Sequence, residues 1–507
     1  MKKTVYLILG VLLSCQLFAN NLVIGTPAYD GNANTLTFTI KWDNSWRVNT
    51  GPSNYDAVWL FAKRQPCGAN GIWSHALLSS TAGDHVVSGA NANSLVIDPV
   101  SDNMGVFVHL GSNSDNQIIA SLNTTTIVLK LNGSYNPSLT GPTSASSDNW
   151  KIFGIEMVYV PAGEFYIGDG RPTNSNNFSR GSLSQALKIN NSLQNSTGLG
   201  SYTNYASAPL YACAVPLPKE FPLGYNGFYT MKYEISQGQM VDFFNTLTYT
   251  QQAAKMKAVA NRVLTSTNQY IGNNNSYISL YNSTTGTANT VPATFTSAYP
   301  HLPMGYMNWQ DLCSYLDWSG LRPMTEFEFE KACRGNNGGA AIEPIAFEYP
   351  WGNTTITNPG GLNSSNTATW GSFEGSCNYL MNGPVRGGAF ATSLSNRSQS
   401  GATYYGIMEM GGNVWEQCVG GGSGYDYSGF RTTNGNGILN NDGLADVTGW
   451  PSNGGPNSGT ILRGGYYFNN GNANQIQVSD RTYFAGDNFN IFTNRTASVG
   501  GRGVRSL

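Results

Sequence analysis

Glycine occupies 60 of the 507 positions, near 12% where about 7% is usual, and a chain punctuated so often cannot be dominated by long amphipathic helices. Aromatic residues also reach 12%, so tight turns alternate with rigid apolar surface. Charged residues are only 11%, with 27 basic against 29 acidic side chains and a formal net charge of -2. A protein that tracks phosphates needs a basic face. The basic runs here never exceed pairs such as Lys2-Lys3 and Lys63-Arg64, which argues against nucleic-acid binding.

Met1 to Asn20 opens with Lys2 and Lys3, continues through an apolar run from Val5 to Leu13, and ends in small and polar residues. That is the layout of a secretory signal over 1–19. Cleavage after Ala19 releases a soluble chain, whereas Leu12-Leu13-Ser14-Cys15 resembles a lipobox in which Cys15 carries a lipid anchor. Leu13 is unusual just before the small residue, which favours cleavage. No later stretch approaches the roughly 20 apolar residues of a membrane span. The expectation is an exported protein, extracellular, periplasmic or on the cell surface, without a transmembrane segment. Beyond Cys15 stand Cys67, Cys213, Cys313, Cys333, Cys377 and Cys418. An even number permits disulfides in an oxidising compartment, no CxxC pair points to a zinc cluster, and the spacing selects no pairing.

From residue 20 to 148 the chain reads as an all-β sandwich. In Thr35 to Trp42, Leu36, Phe38, Ile40 and Trp42 alternate with Thr and Lys, the period of a half-buried strand. Similar runs follow at Ala57 to Lys63, Ser94 to Ile97, Val106 to Leu110 and Thr126 to Leu131, separated by turn-forming clusters. His75, His85 and His109 read as packing or surface residues rather than ligands. Asn132 to Asp148 reads as a linker.

From 149 to 507 the pattern changes to a few short helices among Gly-, Asn- and Trp-containing loops. Ser236 with Gln239, and Thr325 with Glu328, form capping boxes. Asn308 caps a helix whose Trp309, Leu312, Cys313 and Leu316 share one face before Gly320 ends it. Glu326, Glu328 and Glu330 read as caps and a solvated helix face rather than acid-base groups. Thr173 to Thr203 and Thr265 to Thr290 read as exposed polar loops.

The motifs of this second region, taken in order, resemble the formylglycine-generating enzyme family, or sulfatase-modifying factor domain. Met157-Val-Tyr-Val-Pro-Ala-Gly-Glu-Phe-Tyr-Ile-Gly168 is similar to its opening block and Lys232-Tyr-Glu-Ile-Ser236 to its K-Y-E-V-T. The central block runs from Leu302-Pro303 through Asn308-Trp309, Cys313, Trp318 and Gly320 to Leu321-Arg-Pro-Met-Thr-Glu-Phe-Glu-Phe-Glu330 and Arg334-Gly335. Tyr349-Pro-Trp-Gly-Asn353, Met410-Gly-Gly-Asn-Val-Trp-Glu416, Leu462-Arg-Gly-Gly-Tyr466 and Gly503-Val-Arg505 follow. The resemblance implies an α+β, C-type-lectin-like fold with few regular elements.

Family members that make formylglycine hold copper with two cysteines spaced C-x4-C shortly after R-G-G, and soft thiolates suit Cu(I). Carried onto this chain, those positions fall on Asn469 and Asn474, and no cysteine follows Cys418. The iron-dependent branch needs clustered imidazoles, and only His301 lies in this region. No copper or iron chemistry is therefore expected, and no catalytic residue is assigned. The resemblance also implies calcium held by loop oxygens around Glu409, Gly411, Asn413 and Glu416, with Asn363 as a second locus, unless Asn413 and Glu416 only bond turns beneath Trp415. Tyr466, Tyr467, Asn469 and Asn474 present aromatic area beside adaptable amides, a mixture suited to recognition.

Two functional readings stand. In the first, an exported, non-catalytic family relative binds a glycan or an exported protein, or self-associates in a surface assembly; relatives of the domain occur in gliding and secretion machinery. In the second, a metal-dependent oxidoreductase or modifier of exported proteins uses a rearranged site.

Overall fold

A computed structural model describes residues 21–66, 72–133, 135, 148–171, 185–199, 216–255, 269–271, 280–284, 291–360, 373–392, 394–420, 429–452, 454, 459–468, 472–482 and 495–507. The expected signal segment with Cys15, most of the expected linker and of the two polar stretches, Cys67, Cys213, Asn363 and Asn469 lie outside the described residues.

Alternation builds the first sheet. In the strand Thr35–Lys41, Leu36, Phe38 and Ile40 are buried and the intervening threonines are not. It pairs with Val23–Ile24, Ala28–Asp30 and Thr125–Lys130, and Thr125–Lys130 pairs in turn with Val86–Gly89.

The strand Asp56–Gln65 obeys a different rule. Its unbroken apolar run from Ala57 to Ala62 is what a strand covered on both faces requires. Val58, Leu60 and Ala62 face the first sheet, sharing a core with Leu36, Phe38, Ile40, Ile127 and Leu129. Ala57, Trp59 and Phe61 face the other way, into a second core with Phe153, Ile155, Met157, Trp309, Leu312 and Trp318.

Asp56–Gln65 thereby becomes an interior strand of one large antiparallel sheet that runs across position 148. Its order is Arg322–Pro323, Gly503–Ser506, Phe228–Met231, Asn149–Val160, Asp56–Gln65, Val106–Leu110 and Leu95–Pro99. The pairing with Asn149–Val160 extends from Asn149 opposite Gln65 to Val158 opposite Asp56. Five short α-helices accompany the strands among the described residues, none longer than the 10 residues of Trp309–Trp318. The fold is α+β and strand-rich.

The helices start where the caps place them. Ser236, Asn308 and Thr325 each accept from the backbone N–H three residues on, and Gln239, Asp311 and Glu328 return the bond. The helix Glu326–Arg334 departs from expectation, because all its residues are buried and its acidic side chains form no solvated face. Arg481 donates to both oxygens of Glu326 at 2.8 Å. Arg322 donates to Glu328 at 2.8 and 2.6 Å. Glu330 accepts from Arg463 at 2.6 Å, from Arg334 at 3.1 Å, from Ser479 Oγ at 3.1 Å and from the Gly168 N–H at 2.8 Å. Two nearby arginines, Arg322 and Arg334, and two distant in sequence, Arg463 and Arg481, turn what would be a wet face into a dry one, since a buried carboxylate persists only when paired.

Side chains from the first 110 residues lock onto the later region. Trp59 Nε1 donates to the Ser319 carbonyl at 2.8 Å, Asn54 Nδ2 to the Tyr405 carbonyl at 2.8 Å, and Arg505 to Asp102 at 2.6 Å. Lys63 donates to the Gly437 carbonyl at 3.3 Å and lies 5.2 Å from the Trp318 ring centroid.

Burial lowers the Lys63 ammonium from 10.5 to about 7, with Asp317 opposing the shift. Between those two values the unfolded chain binds the extra proton, so this group's contribution to stability rises with pH from about 7 to 10.5. Lys63→Met removes that slope. Denaturant midpoints taken at pH 7 and pH 9.5 should show the variant more stable than the parent at the lower pH, with the gap narrowing at the higher.

Candidate functional site

The turn after Thr460–Arg463 carries two of the four residues expected to contact a ligand, Tyr466 and Tyr467. Gly464 and Gly465 both have positive φ, at 86° and 76°, conformations that glycine adopts without steric cost. They deliver Tyr466, Tyr467 and Phe468 to a cleft of about 390 Å³ that Asn382, Ala497 and Ser498 complete. Tyr466 stacks on Trp415 with centroids 6.1 Å apart and meets Tyr467 edge-on at 5.6 Å. Backbone bonds clamp Tyr467: its N–H donates to the Asn413 carbonyl and its carbonyl accepts from the Met381 N–H, both at 2.8 Å. Burial pushes the Tyr467 phenol up to about 12. Phe468 is 45% exposed and bridges to Leu380, 44% exposed, so the rim is apolar. Asn474 is exposed, in the turn Ala473–Ile476, and its Oδ1 accepts from Gln477 Nε2 at 3.1 Å. It does not line this cleft.

Two of the residues expected around calcium, Glu409 and Glu416, face an arginine, and a third, Asn413, bonds the neighbouring Glu234. Glu409, Asn413 and Glu416 are buried, and the Arg502 guanidinium, 2.7 Å from Glu416, is the positive charge that Glu416, Glu234 and Glu409 face. Asn413 Oδ1 accepts from Asn378 Nδ2 at 3.1 Å and from the Val385 N–H at 2.9 Å, while its Nδ2 donates to Glu234 at 2.6 Å and to the Val385 carbonyl at 3.1 Å. The Gly411 carbonyl accepts from Cys377 Sγ at 3.2 Å. Glu409 accepts from the Gly388 N–H at 2.7 Å, and burial pushes its carboxyl up to about 7. Asn413 and Glu409 have φ of 60° and 52°, strained for non-glycine residues and held by these bonds. Asn413 Oδ1, the Gly411 carbonyl and one Glu409 oxygen are thus engaged by protein donors and Glu416 is ion-paired with Arg502, while Glu409 Oε2 and Glu416 Oε2 are buried without a hydrogen-bond partner among the described residues. No group of three or more His, Cys, Asp or Glu is arranged for a metal among the described residues.

The remaining candidates disperse. Cys313, Cys333, Cys377 and Cys418 are buried free thiols, each raised well above its ordinary value by burial. His75 contacts the Met104 carbonyl at 2.7 Å, His85 the Ser79 carbonyl at 2.9 Å, and His109 lies between the Leu110 carbonyl and Asp98, both at 2.8 Å. These are packing roles. Sequence reasoning missed Arg502, since nothing local marks one arginine near the chain end as the partner of three distant glutamates.

Residues 149–505 match the family of the sulfatase-modifying factor enzyme 1-like domain, and the chain belongs to that family. The formylglycine-generating enzyme of Thermomonospora curvata is 33% identical over 133 residues, which cover 25% of this chain and 36% of that enzyme. The matched part is thus about a third of the relative's length.

Arg502→Leu takes from the buried Glu234 and Glu416 the positive charge they face, while Glu409 keeps Arg386. Removing one partner of a buried ion pair costs roughly 3–5 kcal/mol, and the loss should appear as a lowered urea midpoint at neutral pH.

Proposed function

We propose that this protein is an exported member of the family whose C-type-lectin-like domain binds a ligand or partner at the cell surface and does not oxidise a cysteine. One observation carries the reading: no cysteine follows Cys418, so the segment after Leu462-Arg-Gly-Gly cannot supply two thiolates. Asn474, at one of the carried-over positions, offers a hard amide oxygen already engaged by Gln477, a poor ligand for Cu(I). The residues at the expected copper site do not fit the metal, and no catalytic step is built on it. The four described cysteines of the region, buried and shifted away from thiolate, do not replace them.

Binding is favoured by what the cleft holds instead. Tyr466, Tyr467 and Phe468 supply rigid aromatic area fixed by backbone bonds and glycine turns, and rigid aromatics bind at low entropic cost. The exposed Phe468 and Leu380 extend an apolar rim, of the sort that marks contact surfaces. An exported protein or a glycan suits this surface, and a second copy of the chain would bury it as well. Export rests on Lys2, Lys3 and the apolar run that follows them.

Elemental mass spectrometry of protein purified without chelator or metal resin tests this reading, together with oxygen uptake in the presence of a cysteine peptide. The expected outcome is less than one-tenth of an equivalent of copper or iron and no uptake above buffer. Stoichiometric copper or iron with oxygen uptake refutes the proposal in favour of a rearranged redox site. Calcium alone leaves the binding role intact and returns attention to Glu409, Asn413 and Glu416.

A further inference from the structure

A second cavity, of about 370 Å³, shares no lining residue with the cleft at Tyr466–Phe468. It lies between the strand Asn149–Val160, the start of the helix Gln237–Phe244 and the turn at Arg386-Gly387, and is lined among others by Glu156, Tyr233, Gln239, Asp242, His301 and Arg386. Its volume falls in the range of small-molecule sites. Gly387 sets one wall, because a Cβ there would come within 2.7 Å of the Tyr233 ring. Ring and backbone therefore lie in contact, and the cavity keeps its depth.

The charges of the wall are matched from behind. Lys151 opposes Asp242, Lys232 opposes Glu156, Arg502 opposes Glu234, which also lines the cavity, and Glu409 opposes Arg386. A phosphorylated ligand would meet the carboxylates of Glu156 and Asp242, and a metal ion would meet the guanidinium of Arg386. An apolar ligand would strip water from these groups without replacing its hydrogen bonds, which is costly. What suits a charge-balanced, polar wall is an uncharged ligand that both donates and accepts hydrogen bonds.

Donor capacity is also in reserve. Gln239 Oε1 accepts from the Ser236 N–H at 2.9 Å in the capping box, which leaves Nε2 unbonded among the described residues. The Tyr233 hydroxyl likewise has no hydrogen-bond partner among them, although the side chain is half-buried. Both side chains line the cavity. We propose that this cavity binds a neutral, hydroxyl-rich ligand of monosaccharide size, with Tyr233 and Gln239 as direct donors and Glu156, Asp242 and Arg386 framing the hydroxyl groups. The proposal is independent of whether the domain retains redox chemistry.

Saturation-transfer NMR on the full mature chain tests it with D-glucose, D-galactose, D-mannose and N-acetyl-D-glucosamine as probes. Transfer to at least one of the four is expected. Tyr233→Phe removes the hydroxyl alone, and Gln239→Glu keeps the cap acceptor while removing the donor, so both variants should melt close to the parent temperature. Each should weaken binding about three- to tenfold, the loss of one neutral hydrogen bond. The proposal is overturned by transfer to none of the four sugars, by unchanged affinity in both variants, or by stronger binding of glucose 6-phosphate or glycine than of any neutral sugar.

Discussion

The pairing of buried arginines with buried carboxylates is the interaction on which the loop-rich half of this molecule depends. Glu326, Glu328 and Glu330 project from one helix and are met by Arg481, Arg322, Arg463 and Arg334. Such pairs need not outperform well-packed apolar residues, yet removing one member is costly. Their value here is geometric. A guanidinium offers five donors in a fixed plane, so one arginine can bind a carboxylate and also satisfy backbone carbonyls that no strand or helix accommodates. Arg463 reaches the Asp480 carbonyl, and Arg502 reaches those of Met231, Lys232 and Met408. Irregular backbone is thereby kept from burying unpaired polar groups.

The large sheet does a complementary task. Because Asp56–Gln65 is apolar on both faces, the N-terminal strands and the family region share a sheet rather than merely touching. The same sheet forms one wall of the second cavity through Glu156, whereas the aromatic cleft sits on the separate sheet of Trp415–Val419 and Thr460–Arg463. Two recessed surfaces of different chemistry, one aromatic and one polar, are thus held by different parts of the framework.

What could be read from the sequence was local. Leu36, Phe38 and Ile40 announce a strand because the side-chain period is two, and Ser236, Asn308 and Thr325 announce helix starts because a cap and its partner lie three residues apart. The unbroken run from Ala57 to Ala62 held the signal for a doubly covered strand. Its partner, Asn149–Val160, lies some ninety residues on, and no local pattern names it. The error over Glu326 and Glu330 has the same origin: Arg481 and Arg463 stand more than a hundred residues away, so helix periodicity alone reads acidic side chains as wet, whereas the partner of Glu328, Arg322, lies only six residues before it. Tyr467, which its position after Arg-Gly-Gly marked as a candidate contact residue, lines a cleft, while the cavity of Tyr233, Gln239 and Arg386 draws on segments that only the fold unites.

The place of Gly503–Ser506 within the large sheet bears on how the chain is made. This strand lies between Phe228–Met231 and Arg322–Pro323, so the ribosome finishes those two partners nearly two hundred residues before their neighbour emerges. Until then Phe228–Met231 presents an unfilled edge, the kind of surface that recruits foreign strands, and contacts this distant in sequence form slowly. The edge therefore stays open until the last strand docks.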